Sequence, residues 1–98
     1  MKLSLKKIQI LIDYFKPLPI KAVYVFGSWA REDADKKSDI DIILDPDFDA
    51  ISTPINIPQY RRDLKKLLFL NIDIFQLHKL LKYWKPSVLE ESILIYKK

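Results

Sequence analysis

The sequence contains no cysteine and one glycine in 98 residues. Without cysteine there are no disulfides and no thiolate zinc sites. With a single histidine, His78, an imidazole zinc set is also out of reach; a surface or packing role is expected for it. The lone glycine, Gly27, is the only place where the chain can bring bare backbone against a neighbour without a Cβ. Long apolar runs are absent too, and none reaches the roughly 20 residues of a membrane-spanning helix. The opening stretch MKLSLKKIQILIDYF has lysines but no continuous apolar region or small-residue cleavage site, so it reads as an amphipathic helix rather than a signal peptide. These absences together point to a cytoplasmic protein. The balance of 49% hydrophobic and 31% charged residues excludes a disordered chain. The length suits one domain over residues 1–98 with one modest core, for which a partner or homodimer would add buried area.

The net charge of +4 is unevenly spread. Residues 32–49 hold eight acids and two bases, net −6, so the remainder is net +10. A basic body suits an anionic partner such as a nucleotide, although most surface lysines simply keep a small protein soluble. Carboxylates crowded as in 32–49 repel one another unless solvated or bound to cations.

Ser4 caps a first helix whose Leu5, Ile8, Leu11, Ile12 and Phe15 recur at helical spacing, and Pro17 and Pro19 end it. Residues 21–26 (KAVYVF) read as a buried strand broken by Gly27-Ser28, with Ser28 capping a short helical turn over WAR. Residues 32–38 form a polar loop. Residues 39–44 (DIDIIL) form a second strand, with Asp39, Asp41 and Ile43 on one face and Ile40, Ile42 and Leu44 on the other. A surface connection leads to a helix over 59–69, with Tyr60, Leu64, Leu67 and Leu68 inward and Arg61, Arg62, Lys65 and Lys66 on the wet face. Residues 71–77 (NIDIFQL) form a third strand. Pro86 starts a last helix to about Ser92, and residues 93–97 either extend it or form an edge strand. The order predicts an α+β (α/β) fold, a small mixed sheet with helices on one face.

An unpaired charge in an apolar strand is costly, so Asp39, Asp41 and Asp73 need a reason. Alternate strand residues point the same way, with Cα atoms roughly 7 Å apart, so Asp39 and Asp41 can converge on one cation. If NIDIF lies beside DIDIIL, Asp73 faces the same point. Three aspartates make a hard, oxygen-only site suited to Mg²⁺ or Mn²⁺. Two such ions would stabilise the attacking and leaving oxygens of a phosphoryl displacement. Gly27 and Ser28 supply a Cβ-free turn, a hydroxyl and free N–H groups for a phosphate, and Arg31 lies one turn on. The two halves fit one ligand, a nucleoside triphosphate with its metals. Each feature alone is usually structural; their combination is not. Trp29 could stack on a base, but packing beneath the loop is the commoner role for such an aromatic.

Gly27-Ser28, ten residues, then Asp39-Ile40-Asp41 resembles the signature of the DNA polymerase β-like nucleotidyltransferase superfamily, with Asp73 at the expected third carboxylate. The short length and the tail KPSVLEESILIYKK resemble its minimal nucleotidyltransferases, the MntA-type antitoxins of HEPN/MNT modules. The resemblance implies AMP transfer from ATP (or another NTP) to a protein hydroxyl, a tyrosine of a helical HEPN toxin, with two Mg²⁺ ions. Asp39, Asp41 and Asp73 would be catalytic and metal-binding, with Asp73 helping to deprotonate the hydroxyl. Gly27, Ser28 and Arg31 would bind nucleotide. The alternative is an antitoxin that acts by contact alone, with a vestigial nucleotide site and Tyr83, Trp84 and Tyr96 as candidate interface residues. Direct nucleic-acid binding through RRDLKK (61–66) is not expected, since a basic helix face is usually just solvated. One departure stands out: many members place a glycine after the arginine of the Gly-Ser-x-Ala-Arg run, where this chain has Glu32. A change in the loop, and in the setting of Arg31, is expected from it.

Overall fold

The computed structural model describes residues 2–49, 55–83 and 87–98. The elements run α1 (Leu5–Phe15), β1 (Ile20–Phe26), β2 (Ile40–Pro46), α2 (Ile57–Leu68), β3 (Ile72–Gln76), α3 (Leu77–Tyr83), α4 (Ser87–Glu90) and β4 (Ile93–Lys97). The strands form one sheet in the order β3-β2-β1-β4. β1 is antiparallel to β2 and β4, and β2 is parallel to β3, so the sheet is mixed as expected. No helix among the described residues is long and apolar enough to cross a membrane.

Local chemistry explains the boundaries. The Ser4 hydroxyl accepts a hydrogen bond from the Lys7 N–H at 3.2 Å and starts α1. Asn56 does the same for α2 through the Gln59 N–H at 3.1 Å, with Pro58 in the first turn, where a missing N–H costs nothing. α2 ends at Phe69, whose φ of 58° is left-handed. The chain uses a bulky residue here, where glycine is the usual choice. Residues 93–97, left open between helix and strand by their sequence, form edge strand β4 on β1.

One main core fills the face covered by α1 and α2. Leu11 and Phe15 of α1 meet Tyr60, Leu64 and Leu68 of α2 over Val23, Val25, Ile40, Ile42, Leu44 and Ile72 of the sheet. The predicted inward faces of β2 and α2 are therefore the observed ones, with Leu67 as the exception at 48% exposed. The Tyr14 hydroxyl donates to Asp63 Oδ2 at 2.6 Å and ties α1 to α2; burial and that carboxylate push its pKa up. Phe15 packs edge-on between Tyr14 and Tyr60. Ile43 and Leu80 are buried outside this cluster, where α3 meets β2 and β3. Tyr96 packs against the main core, as a small domain requires, while Trp84, Pro86 and the Tyr83 side chain lie outside the described residues.

Phe15 is fully buried at the junction of both helices. Phe15→Ala should cost about 3–5 kcal/mol, against a total of roughly 5–15 kcal/mol for a domain. Urea denaturation should show a midpoint shift of that size, or no folded baseline at all.

Candidate active site

β1 runs antiparallel to β2, and β2 runs parallel to β3. The carboxyl end of β1 therefore lies beside the amino ends of β2 and β3. This single end of the sheet collects the turn after β1 and the aspartates that open β2 and β3. Asp41 is the register partner of Asp73 on one side and of Phe26 on the other. Asp39, expected as the first residue of the strand, lies one residue before β2, and it lines a groove together with Asp73. The Ile40 N–H donates to the Asn71 carbonyl at 2.9 Å and locks these two strand starts together.

The Asp41 carboxyl is pushed up to about 6. Burial is the main cause; the charge of Asp73, a hydrogen bond to it, and the charge of Asp39 add to it, while Arg31 opposes it. The rings of Phe26 and Phe75 meet edge-to-face across β2 at 5.4 Å, beside this pair. A half-buried carboxylate facing two others has a high energy without a cation.

Gly27 has a φ of 75°, which L side chains rarely adopt. A Cβ added there would run into the Asp41 carboxylate and stand 3.3 Å from its Cγ. The glycine thus makes room for Asp41 as well as for any phosphate. From Gly27 to Glu32 the chain makes consecutive turns rather than a helix, closed by the Arg31 N–H on the Gly27 carbonyl at 3.0 Å and the Asp33 N–H on the Ser28 carbonyl at 3.0 Å. Ser28 is half-buried in this turn. The exposed Arg31 guanidinium pairs with Asp33 at 3.1 Å. Glu32 takes a φ of 64°, so the backbone at the departure from the signature is left-handed despite its side chain.

One feature bears out the expected role of an aromatic beside the turn, and another was not evident in the sequence. Trp29 is buried at 3% exposure, and its indole N–H donates to the Ser38 carbonyl at 3.0 Å. Ser38 directly precedes Asp39, so Trp29 closes the loop between the Gly-Ser turn and the first carboxylate. Packing under the loop is therefore its role. Arg61, Arg62 and Lys65 of α2 line the groove of Asp39 and Asp73. Their helical periodicity marked them only as a wet face. His78 is exposed, with its ring edge-on to Phe48 at 5.1 Å.

Among the described residues, no three carboxylate or imidazole groups stand gathered closely enough to enclose a metal ion. The donor set nevertheless fits one. Asp41 and Asp73 are adjacent, all-oxygen donors, and the raised Asp41 carboxyl reports like charge that a hard divalent cation would relieve.

Two facing carboxylates at one end of a mixed sheet, one of them, Asp41, against a glycine turn, are the arrangement that a phosphate-handling site of the nucleotidyl-transfer class would need. The chain belongs to the polymerase β nucleotidyltransferase family, whose sequence model matches residues 8–98. A candidate protein adenylyltransferase of Methanocaldococcus jannaschii is 32% identical over 88 residues, covering 89% of this chain and 85% of the relative. Among solved structures, a toxin–antitoxin complex with AMP-PNP matches with a TM-score of 0.68 at 20% identity, covering 98% of this chain and 75% of that one. A tri-AMPylated Shewanella oneidensis HEPN toxin in complex with its MNT antitoxin matches with a TM-score of 0.67 at 14% identity, covering 98% and 74%. At these identities the solved structures establish the fold alone.

Two outcomes follow from the geometry. The folded-state value of Asp41 lies above its ordinary 3.8, so folding disfavours the ionised form. The stability it contributes is complete below about pH 4, falls as pH rises through about 6, and is lost above that. Metal-free Asp41→Asn should therefore melt above the wild type at pH 8, by a margin that disappears at pH 4. Trp29→Phe keeps the ring and leaves the Ser38 carbonyl without its donor, which should cost about 1 kcal/mol. Amide exchange at Asp39 and Ile40 should accelerate more than exchange in α1.

Proposed function

We propose that this protein transfers AMP from ATP to a hydroxyl of a protein partner, a tyrosine of a HEPN-family toxin, and acts as its antitoxin. The observation that carries this is the facing pair Asp41 and Asp73 beside the Gly27 turn, with Asp39 at the adjoining groove. The family match, the candidate protein adenylyltransferase and the fold shared with antitoxins support the reading.

Gly27, Ser28 and the N–H groups of the following turn hold the β- and γ-phosphates, and Arg31 swings from Asp33 to a phosphate oxygen. Asp39, Asp41 and Asp73 would hold Mg²⁺, as two ions, with Mn²⁺ a chemically equivalent choice. The metal supplies charge neutralisation on the α-phosphate and on the departing pyrophosphate. Asp73, on the side away from the glycine turn, receives the acceptor hydroxyl and takes its proton. The hydroxyl oxygen then bonds to the α-phosphorus while the bond from that phosphorus to the oxygen bridging to the β-phosphate breaks. AMP remains on the acceptor as a phosphodiester and pyrophosphate leaves. Catalysis is mostly positioning and electrostatic stabilisation, and the raised Asp41 carboxyl means that cation binding must also displace a proton below about pH 6.

The test is incubation with α-labelled ATP, Mg²⁺ and a HEPN-family toxin. Labelled toxin should form with the wild type and fall at least 100-fold with Asp73→Asn, consistent with loss of a positioned base. Transfer unaffected by Asp73→Asn would reject the assignment. Full neutralisation of the toxin by the triple variant Asp39→Ala/Asp41→Ala/Asp73→Ala would instead identify an antitoxin that works by contact alone.

A further inference from the structure

The groove of about 380 Å³ beside the carboxylates is built from two kinds of charge. Asp39 and Asp73 form one wall; Arg61, Arg62 and Lys65 of α2 form the other. The two walls do not neutralise each other. The ion pairs among the described residues include neither Arg61 nor Lys65, and Arg62 donates to the neutral Gln59 side chain at 3.0 Å. All three cations are exposed. Gly27 and Ser28 do not line this groove: they lie past β2, at the end of β1. The cations therefore stand on the Asp73 side, where the acceptor enters, and not on the triphosphate side.

The same helix face continues to a second concavity, lined by Arg62, Lys65, Lys66 and Phe69. Phe69 is 89% exposed and left-handed. A bulky residue in that conformation carries backbone strain that glycine would avoid. A strained, exposed aromatic beside three cations is a good anchor for a partner.

We propose that this surface of α2 binds an acidic, partly apolar peptide segment of the protein acceptor. The acidic side chains sit against Arg61, Arg62 and Lys65, an apolar side chain packs on Phe69, and the acceptor hydroxyl is delivered to Asp73. Charge complementarity selects the occupant, because arginine clusters recognise carboxylates through paired N–H donors. The inference rests on the proposed transfer to a protein hydroxyl; a nucleic-acid strand is the competing occupant, and the test separates the two.

The probes are three fluorescent twelve-residue peptides, each with one tyrosine and one leucine, flanked by glutamate, glutamine or lysine, and a single-stranded RNA dodecamer. Equilibrium anisotropy is measured on the full chain in 50 mM salt. The glutamate peptide should bind at least tenfold tighter than the glutamine peptide, and the lysine peptide should bind least. Arg61→Glu/Lys65→Glu should remove that preference, and Phe69→Ser should weaken the glutamate and glutamine peptides alike by about fivefold. Thermal melts check that both variants remain folded, and Arg61→Gln/Lys65→Gln gives a milder version of the same loss. Equal or undetectable binding of the glutamate and glutamine peptides overturns the proposal. So does RNA that binds tighter than the glutamate peptide and loses its affinity in the charge-reversed variant. AMP-PNP affinity in the same buffer reports separately on nucleotide binding, so failure of the groove and failure of the nucleotide reading are distinguishable.

Discussion

The placement of Asp41 directly opposite Asp73 on parallel neighbouring strands governs the rest of the site. Strands in a sheet lie roughly 4.8 Å apart, so two side chains in register cannot avoid each other. For two valines this would be a packing contact. For two carboxylates it is a repulsion that adds to burial in raising Asp41 and creates a demand for positive charge. The surroundings serve that demand. Gly27 leaves out the Cβ that would displace Asp41. The bond from the Ile40 N–H to Asn71 keeps β2 and β3 from sliding apart at the end where the repulsion acts.

Which parts of this were readable beforehand depends on the range of the interaction. Period-two alternation marked residues 39–44 and 71–77 as strands, and carboxylates interrupting an apolar pattern marked Asp39, Asp41 and Asp73 as candidate site residues. Helical spacing marked α1 and the buried face of α2, and Ser4 announced its cap. Strand pairing was not readable, because register between distant segments is settled by tertiary contacts and not by local pattern. Residues 93–97 show this: ILIYK suits a helix end as well as a strand, and only pairing with β1 decides it. The cations of α2 were hidden for the same reason. Their period gave their face, but only the crossover from β2 to β3 brings that face beside Asp39 and Asp73.

The loop between Gly27-Ser28 and Asp39 shows how a short chain holds a long connection still. Ten residues, all polar or small except Trp29, would move freely unless tied down. The Trp29 indole reaches the Ser38 carbonyl, Ser38 and Asp35 cap each other through hydroxyl and carboxylate, and Ala34 is buried between. Trp29 also contributes its ring to the main core, so the fold's hydrophobic stability is coupled to the position of Asp39. The same coupling explains how Glu32 can stand where the signature usually has glycine. Its left-handed backbone costs energy, but the bonds from the Arg31 and Asp33 N–H groups on either side hold the turn closed, and Glu32 reaches back to Lys2 ahead of α1.

The two sides of the carboxylate pair also differ in kind. Towards β1 lies the half-buried turn with its close backbone and one glycine, a shape that would suit the fixed geometry of the proposed triphosphate. Towards α2 lies an open groove whose cations sit on flexible side chains, with the exposed Phe69 beyond it. Rigid backbone suits a ligand that is always the same, and side chains on one helix face suit a ligand that changes with the partner. The glycine side should tolerate few substitutions, because Gly27 packs against Asp41 and any movement there shifts a carboxylate. The α2 side can vary residue by residue without disturbing the core, since Leu64 and Leu68 hold the helix down from its opposite face. On the proposed reading, acceptor recognition is altered on the outer face of α2 while the carboxylate site stays where β1, β2 and β3 meet.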